Sequence, residues 1–200
     1  NCIINEKLDV NYALTDKIHP IRFGIIGMGN MGTSHAKSFI DGKIRGMRIT
    51  AVADTVPEKL VWAKTNLPWA KTFNSAQELI ESEAVDAVII CTPHYSHPEL
   101  VIKALEKGLH VVSEKPAGVY TKQVREMNEF AQKQDKAFAM MFNQRTNCVY
   151  RKIKEIVDSK IYGEIRRVNW IITDWYRTQA YYNSGGWRAT WIGEGGGVLL

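Results

Sequence analysis

From Ile21 onward, short apolar runs alternate with longer amphipathic ones, the pattern of parallel strands joined by helices. The apolar runs predict strands over residues 21–27, 48–54, 85–92, 110–114 and 137–142. Ala87, Val88, Ile89 and Ile90 are apolar without a break, as a strand covered on both faces requires. The amphipathic runs predict helices over 31–40, 57–66, 75–81, 98–107 and 121–134. Pro57 and Pro98 sit where a first helical turn has no N–H bond to lose, and Gly108 is placed to cap the fourth helix.

After Gln144 the pattern changes. Residues 149–159 predict a helix ending near Gly163, and residues 165–175 alternate like a long strand whose buried face carries Val168, Trp170 and Ile172. The chain therefore divides into an N-terminal extension over 1–20, an α/β domain over 21–145 and, over 146–200, the start of a second domain, expected to be α+β with a largely antiparallel sheet. Trp170, Trp175, Tyr176, Tyr181, Tyr182, Trp187 and Trp191 crowd this last stretch. Packing against a core or subunit and lining a substrate site both account for them.

Composition narrows the class. The 200 residues are 45% hydrophobic and 24% charged, without an apolar stretch near the roughly 20 residues of a membrane span. Glu6, Lys7, Asp9, Asp16 and Lys17 break up the first segment, so no secretory signal is visible. Cys2, Cys91 and Cys148 form no C-x-x-C pair, which fits free thiols and a cytoplasmic setting. The net charge of +5 is spread out. Even the densest basic stretch, from Arg151 to Arg167, is interrupted by Glu155, Asp158 and Glu164, which fits a solvated helix face and not a nucleic-acid footprint.

The candidate chemistry begins at Gly27-Met28-Gly29-Asn30-Met31-Gly32, which leaves the first strand and opens the first helix. Gly27 permits a tight turn, Gly29 lets backbone approach a pyrophosphate, and Gly32 lets helix and strand pack closely. Asp54 closes the second strand 22 residues after Gly32, where a carboxylate accepts ribose hydroxyls. It would repel a 2′-phosphate, and Thr55-Val56 offers no arginine to offset it, so NAD is favoured over NADP. The fold class is a Rossmann-type doubly wound parallel sheet.

Further residues carry a resemblance. The run from Cys91 to Pro98 reads C-T-P-H-Y-S-H-P, and Glu114-Lys115-Pro116 follows the next strand. Phe142-Asn143-Gln144-Arg145, Trp187-Arg188 and the glycines at 195, 196 and 197 complete the set. Together with the glycine turn, these resemble the Gfo/Idh/MocA family of glucose-fructose oxidoreductases and inositol dehydrogenases. The resemblance implies that Thr92 and Pro93 pass beneath the cofactor, with His94 and His97 close to it. It implies that Glu114 lies near the nicotinamide ribose and that Lys115 contacts the reacting hydroxyl. Asn143 and Arg145 would lie near the cofactor, Trp187 and Arg188 would face the same cleft, and the peptide before Pro116 is often cis in the family. A histidine acting as general acid–base is expected beyond Leu200, in a longer enzyme of which this chain is the front part.

The chemistry of Lys115 is also sensible from its own properties, because an ammonium beside a hydroxyl stabilises the developing alkoxide. Cys91, His94 and His97 have a spacing that zinc ligands also use, but a cysteine aimed into the sheet layer and two histidines in the following loop are not expected to converge. The implied activity is NAD-dependent removal of hydride from a secondary hydroxyl of a sugar, polyol or glycoside, in a homo-oligomer with no nucleic-acid or membrane partner. Two other readings remain at this point. One is an enzyme that keeps NAD bound and oxidises its sugar transiently, for hydride exchange or glycoside elimination. The other is a non-catalytic NAD-binding regulator or scaffold.

Overall fold

The computed structural model describes residues 20–173, 176–183 and 186–196. Six strands, β1 (Ile21–Ile26), β2 (Met47–Ala53), β3 (Lys71–Phe73), β4 (Ala87–Ile90), β5 (His110–Ser113) and β6 (Phe138–Met140), form one sheet in the order β3-β2-β1-β4-β5-β6. Every pairing is parallel. The helices of the crossovers are α1 (Asn30–Ile40), α2 (Pro57–Asn66), α3 (Ala76–Glu81), α4 (His97–Glu106) and α5 (Thr121–Ala131).

Alternation along the strands sends side chains to two cores. Phe23, Ile25, Ile49, Ala87 and Ile89 meet Ala36 of α1 and Leu60 and Ala63 of α2 on one face. Ile26, Ala51, Val88, Ile90 and Val111 meet Leu79, Val101, Leu105 and Met127 from α3, α4 and α5 on the other. With helices on both faces, the strands carry apolar side chains in both directions, which is why their sequence reads as unbroken runs. Pro57 stands in the first turn of α2, and the Ser75 hydroxyl accepts the Glu78 N–H to start α3.

The third strand of the sheet was not among the expected ones. Lys71–Phe73 is only three residues long and carries no apolar alternation to mark it; its place comes from pairing with Ala51–Ala53. The strand expected over 165–175 is corrected. Residues 165–173 have no regular structure, and Val168, Trp170 and Ile172 are exposed, while Asp174 and Trp175 lie outside the described residues. Alternation assigns faces, but a strand also needs a neighbour to take its N–H and C=O groups, and among the described residues this stretch pairs with none. No antiparallel pairing occurs among the described residues.

Contacts divide the chain into two compact units, one joining residues 20–141 with 187–196 and the other holding the described part of 142–186. The second contains α6 (Cys148–Asp158), started by the Asn147 side chain accepting the Val149 N–H, and α7 (Gln179–Asn183). A short helix, α8 (Trp191–Glu194), belongs to the first.

Candidate functional site

The strand order reverses between β1 and β4, so the carboxyl ends of these two strands splay their connections to opposite faces and leave a crevice. Two glycines make the approach possible. Gly27 has φ +94°, and a Cβ there would stand 2.8 Å from the Cys91 carbonyl carbon at the end of β4. A Cβ on Gly32 would collide with the Gly27 carbonyl oxygen, so the first turn of α1 sits directly on the turn that precedes it.

Gly29 is the N-cap of α1, and no side chain caps the helix. A Cβ at Gly29 would meet nothing within 4 Å. The helix therefore presents its first N–H groups and partial positive charge to open space, the arrangement that receives a pyrophosphate. Beside it lies a cleft of about 530 Å³ bounded by Met28, Asn30, Lys37, Lys59 and Trp62. These residues fit a dinucleotide.

Asp54 stands at the end of β2 and is 9% exposed. One oxygen, Oδ2, accepts the Met28 N–H at 2.7 Å, and Oδ1 accepts the Val56 N–H at 2.9 Å. The ammonium of Lys59 is 3.7 Å from Oδ2. A carboxylate has about four acceptor positions, so capacity for ribose hydroxyls remains. Lys59 was not singled out from the sequence, because it lies on α2 and meets Asp54 only through the fold.

At the end of β4, the Cys91 N–H reaches Ile26 O at 2.7 Å and the Thr92 hydroxyl lies 2.7 Å from that of Ser96. Burial pushes the Cys91 thiol pKa above its ordinary range, and the Glu114 charge adds to it. Pro93 leads into a single 3-10 turn over His94–Ser96. His94 donates from Nδ1 to Glu194 O at 3.1 Å, and its ring meets Trp187 edge-on at 5.2 Å. Burial lowers its pKa below the usual imidazole value, with smaller contributions from the charges of His97 and Lys115, while the hydrogen bond it donates to Glu194 O acts in the raising direction.

Trp187 and Arg188 are thus brought beside this turn. The Arg188 guanidinium lies 4.6 Å over the Trp187 ring and 3.7 Å from Oε1 of Glu194. Glu194 is 6% exposed, and its other oxygen accepts the Ala189 N–H at 2.8 Å. Neither Glu194 nor its role in holding this segment was visible from sequence.

Glu114, Lys115 and Pro116 leave β5 next to β4, with a cis peptide between Lys115 and Pro116. The Glu114 N–H bonds Ile90 O at 2.9 Å, while its carboxylate is buried. Oε1 of Glu114 accepts from Nε2 of His35 on α1 at 2.7 Å, a residue that sequence reading missed. Oε2 accepts the Lys115 N–H at 3.2 Å, and the Lys115 side chain is exposed. His97 is 1% exposed. Its Nδ1 lies 2.7 Å from Pro116 O and its Nε2 2.7 Å from Thr92 O. Both oxygens only accept, so the ring donates once when neutral and twice when it carries both protons. With His97 so engaged, Cys91, His94 and His97 do not converge, and no group of three or more potential metal ligands converges among the described residues.

Asn143 and Arg145 belong to the other unit, in a 3-10 turn over Asn143–Thr146. There the Thr146 hydroxyl donates to Asn143 O at 2.7 Å and the Arg145 guanidinium lies 5.7 Å over the Phe142 ring.

A family model described as an oxidoreductase family with an NAD-binding Rossmann fold, Gfo/Idh/MocA, matches residues 21–142. Myo-inositol 2-dehydrogenase of Thermotoga maritima is 34% identical over 146 residues, which are 72% of this chain and 42% of that protein. The crystal structure of scyllo-inositol dehydrogenase from Lactobacillus casei with bound NAD(H) and scyllo-inositol superposes with a TM-score of 0.68. It shares 31% identity over 72% of this chain and 43% of that one. The WlbA dehydrogenase of Bordetella pertussis, solved with NADH and UDP-GlcNAcA, gives a TM-score of 0.77 at 26% identity, over 88% of this chain and 52% of that one. The chain spans about 42% of the length of the Thermotoga relative it matches.

Proposed function

The chain belongs to the Gfo/Idh/MocA oxidoreductase family, with its NAD-binding Rossmann fold, and from that premise we propose that the full-length protein is an NAD-dependent dehydrogenase. Its substrate is a secondary alcohol on a polyol, an inositol-like ring or a sugar. Residues 21–145 are its cofactor domain, and residues 146–200 begin the domain that selects the substrate.

The observation that carries this reading is the placement of Lys115. Its exposed side chain leaves the carboxyl end of β5, beside the strand that flanks the uncapped glycine turn. NAD, when bound, accepts the hydride. Gly27 to Gly32 and the first turn of α1 hold its phosphates, and Asp54 holds the adenosine ribose. Thr92, Pro93 and His94 form the wall at the switch point, Glu114 stands at the nicotinamide side, and Trp187 and Arg188 close the cleft beyond His94. Lys115 donates an N–H to the reacting oxygen, so negative charge developing there meets a fixed cation.

The test is direct. Full-length protein is supplied with NAD+ and, in turn, myo-inositol, scyllo-inositol and a panel of sugars, and the absorbance of reduced nicotinamide is followed. Reduction that depends on one of these alcohols is the expected result. Tight NAD+ binding without reduction by any of them would leave a binding module instead of a dehydrogenase.

A further inference from the structure

The turn that carries Lys115 is tied from two sides by histidines. On one side His35, from α1, bonds Oε1 of Glu114 at 2.7 Å, with side chains only 20% and 6% exposed. The other Glu114 oxygen accepts the Lys115 N–H at 3.2 Å, so the carboxylate links α1 to the backbone of the lysine itself. On the other side His97, the first residue of α4, stands between Pro116 O and Thr92 O at 2.7 Å each.

The sheet does not hold this turn. The β5 ladder ends at Ser113, which pairs with Ile90 and Met140, and the Glu114 N–H to Ile90 O is the last backbone tie on that path. Past it, the peptides around Lys115 depend on side chains. Each histidine also comes from an element that shapes the cofactor cleft. His35 lies on the helix whose uncapped N-terminus faces the phosphates, and His97 bonds the carbonyl of Thr92 at the switch point.

We propose that His35 and His97 are positioning residues that fix the Glu114-Lys115-Pro116 turn against the glycine turn and the Thr92 loop, and so set where the Lys115 ammonium stands. They touch neither substrate nor reacting atoms. The inference rests on the reading of Lys115 as the donor to the reacting oxygen. Its force comes from geometry, since a displacement near 1 Å at a reacting centre costs about a hundredfold in rate. A lysine stem has several rotatable bonds, so only a fixed backbone at its root limits where its charge travels.

The experiment uses the full-length protein and His35→Ala, His97→Ala and the double variant, with His35→Gln as the conservative replacement that keeps an N–H donor of similar reach. Two readouts are taken. The first does not depend on turnover: lysines are reductively methylated with carbon-13, and the Lys115 signal, assigned by its loss in Lys115→Arg, is followed by NMR. One sharp, distinct signal is expected in the native protein, moving toward the averaged position of surface lysines in each alanine variant and partly restored in His35→Gln. The second is kinetic, with NAD+ and whichever inositol or sugar is oxidised. There kcat is expected to fall about a hundredfold in each alanine variant while NAD+ affinity, read by fluorescence titration, moves less than about threefold.

If an alanine variant does not fold, His35→Asn, too short to reach Glu114, and His97→Leu, which fills the buried space without a donor, supply the same readouts. An unchanged Lys115 signal with unchanged kcat in folded variants overturns the proposal and leaves the dehydrogenase reading in place. A Lys115 signal that responds to both histidines in a protein that oxidises none of the alcohols supports the positioning role and removes the proposed reaction.

Discussion

The carboxylate of Asp54 accepts the backbone N–H of Met28 at 2.7 Å, so the end of the second strand is bound to the glycine turn before any ligand arrives. The same oxygen lies 3.7 Å from the ammonium of Lys59. A single carboxylate therefore shapes the turn and holds a cation in check.

Replacing Asp54 with alanine should raise the dissociation constant for NAD+ by at least about tenfold, since a hydrogen bond to a charged group is worth about 1.5 to 3 kcal/mol. NADP+ should lose less, or gain. Its 2′-phosphate would no longer meet a like charge and would find Lys59 released. Fluorescence titration with both cofactors decides the matter, and equal losses would reduce Asp54 to a support for the turn.

Changing Lys115 to methionine keeps much of the stem and removes the charge. In the full-length protein kcat should drop by roughly a hundred- to a thousand-fold, the worth of about 3 to 4 kcal/mol for a positioned donor at a developing oxyanion. NAD+ affinity should move less than about threefold. Steady-state kinetics beside a binding titration reads both, and undiminished turnover would make Lys115 an ordinary surface lysine.

Burial keeps the Cys91 thiol protonated well beyond its usual range, and the thiolate is the species that alkylating agents attack. In native protein at about pH 8, Cys91 should resist iodoacetamide, and it should be modified fully once guanidinium unfolds the chain. Peptide mapping by mass spectrometry gives the two extents. Rapid native labelling would place the sulfur at the surface.

The depressed pKa of His94 predicts a stability trend. In the unfolded chain its imidazole titrates near 6.5, and in the fold it titrates lower, chiefly through burial. Between those two values the unfolded state binds more protons, so stability falls as pH falls through that window. His94→Gln removes this share of the acid sensitivity. Its melting temperature should therefore drop less than that of the native protein between about pH 7 and pH 5. A steeper drop in the variant would reverse the sign of the argument.

The parts readable from sequence were those whose signal is local. Ala87 to Ile90 announced a strand buried on both faces, and the glycines at 27 and 32 announced a turn because each is required by contacts within a few residues or one strand away. Lys71–Phe73 gave no such signal, because three residues are too few to show a period and their pairing with β2 comes from the sheet. Residues 165–173 show the opposite failure, since a clear alternation was present without a partner strand among the described residues. In the candidate site, Asp54 and Lys115 were singled out through motifs. His35 was not, because its partner Glu114 lies 79 residues away and an isolated histidine on an amphipathic helix looks like any other. Glu194, whose carbonyl meets His94 across 100 residues of chain, was hidden for the same reason.

The central strand of this sheet makes a demand on synthesis. β1 is among the first elements of the described chain to be made, yet one of its two neighbours is β4, and the Arg22 N–H that bonds Asp86 must wait for a partner 64 residues later. At ribosomal speeds of roughly 5 to 20 residues per second, that interval is roughly 3 to 13 s. Until β4 emerges, Phe23, Ile25 and Ile26 have only β2 and the first helices to cover them, and one edge of β1 is bare. The nascent chain therefore passes through a stage in which its central strand is a docking edge for other chains, and chaperone dependence during translation should centre on that interval.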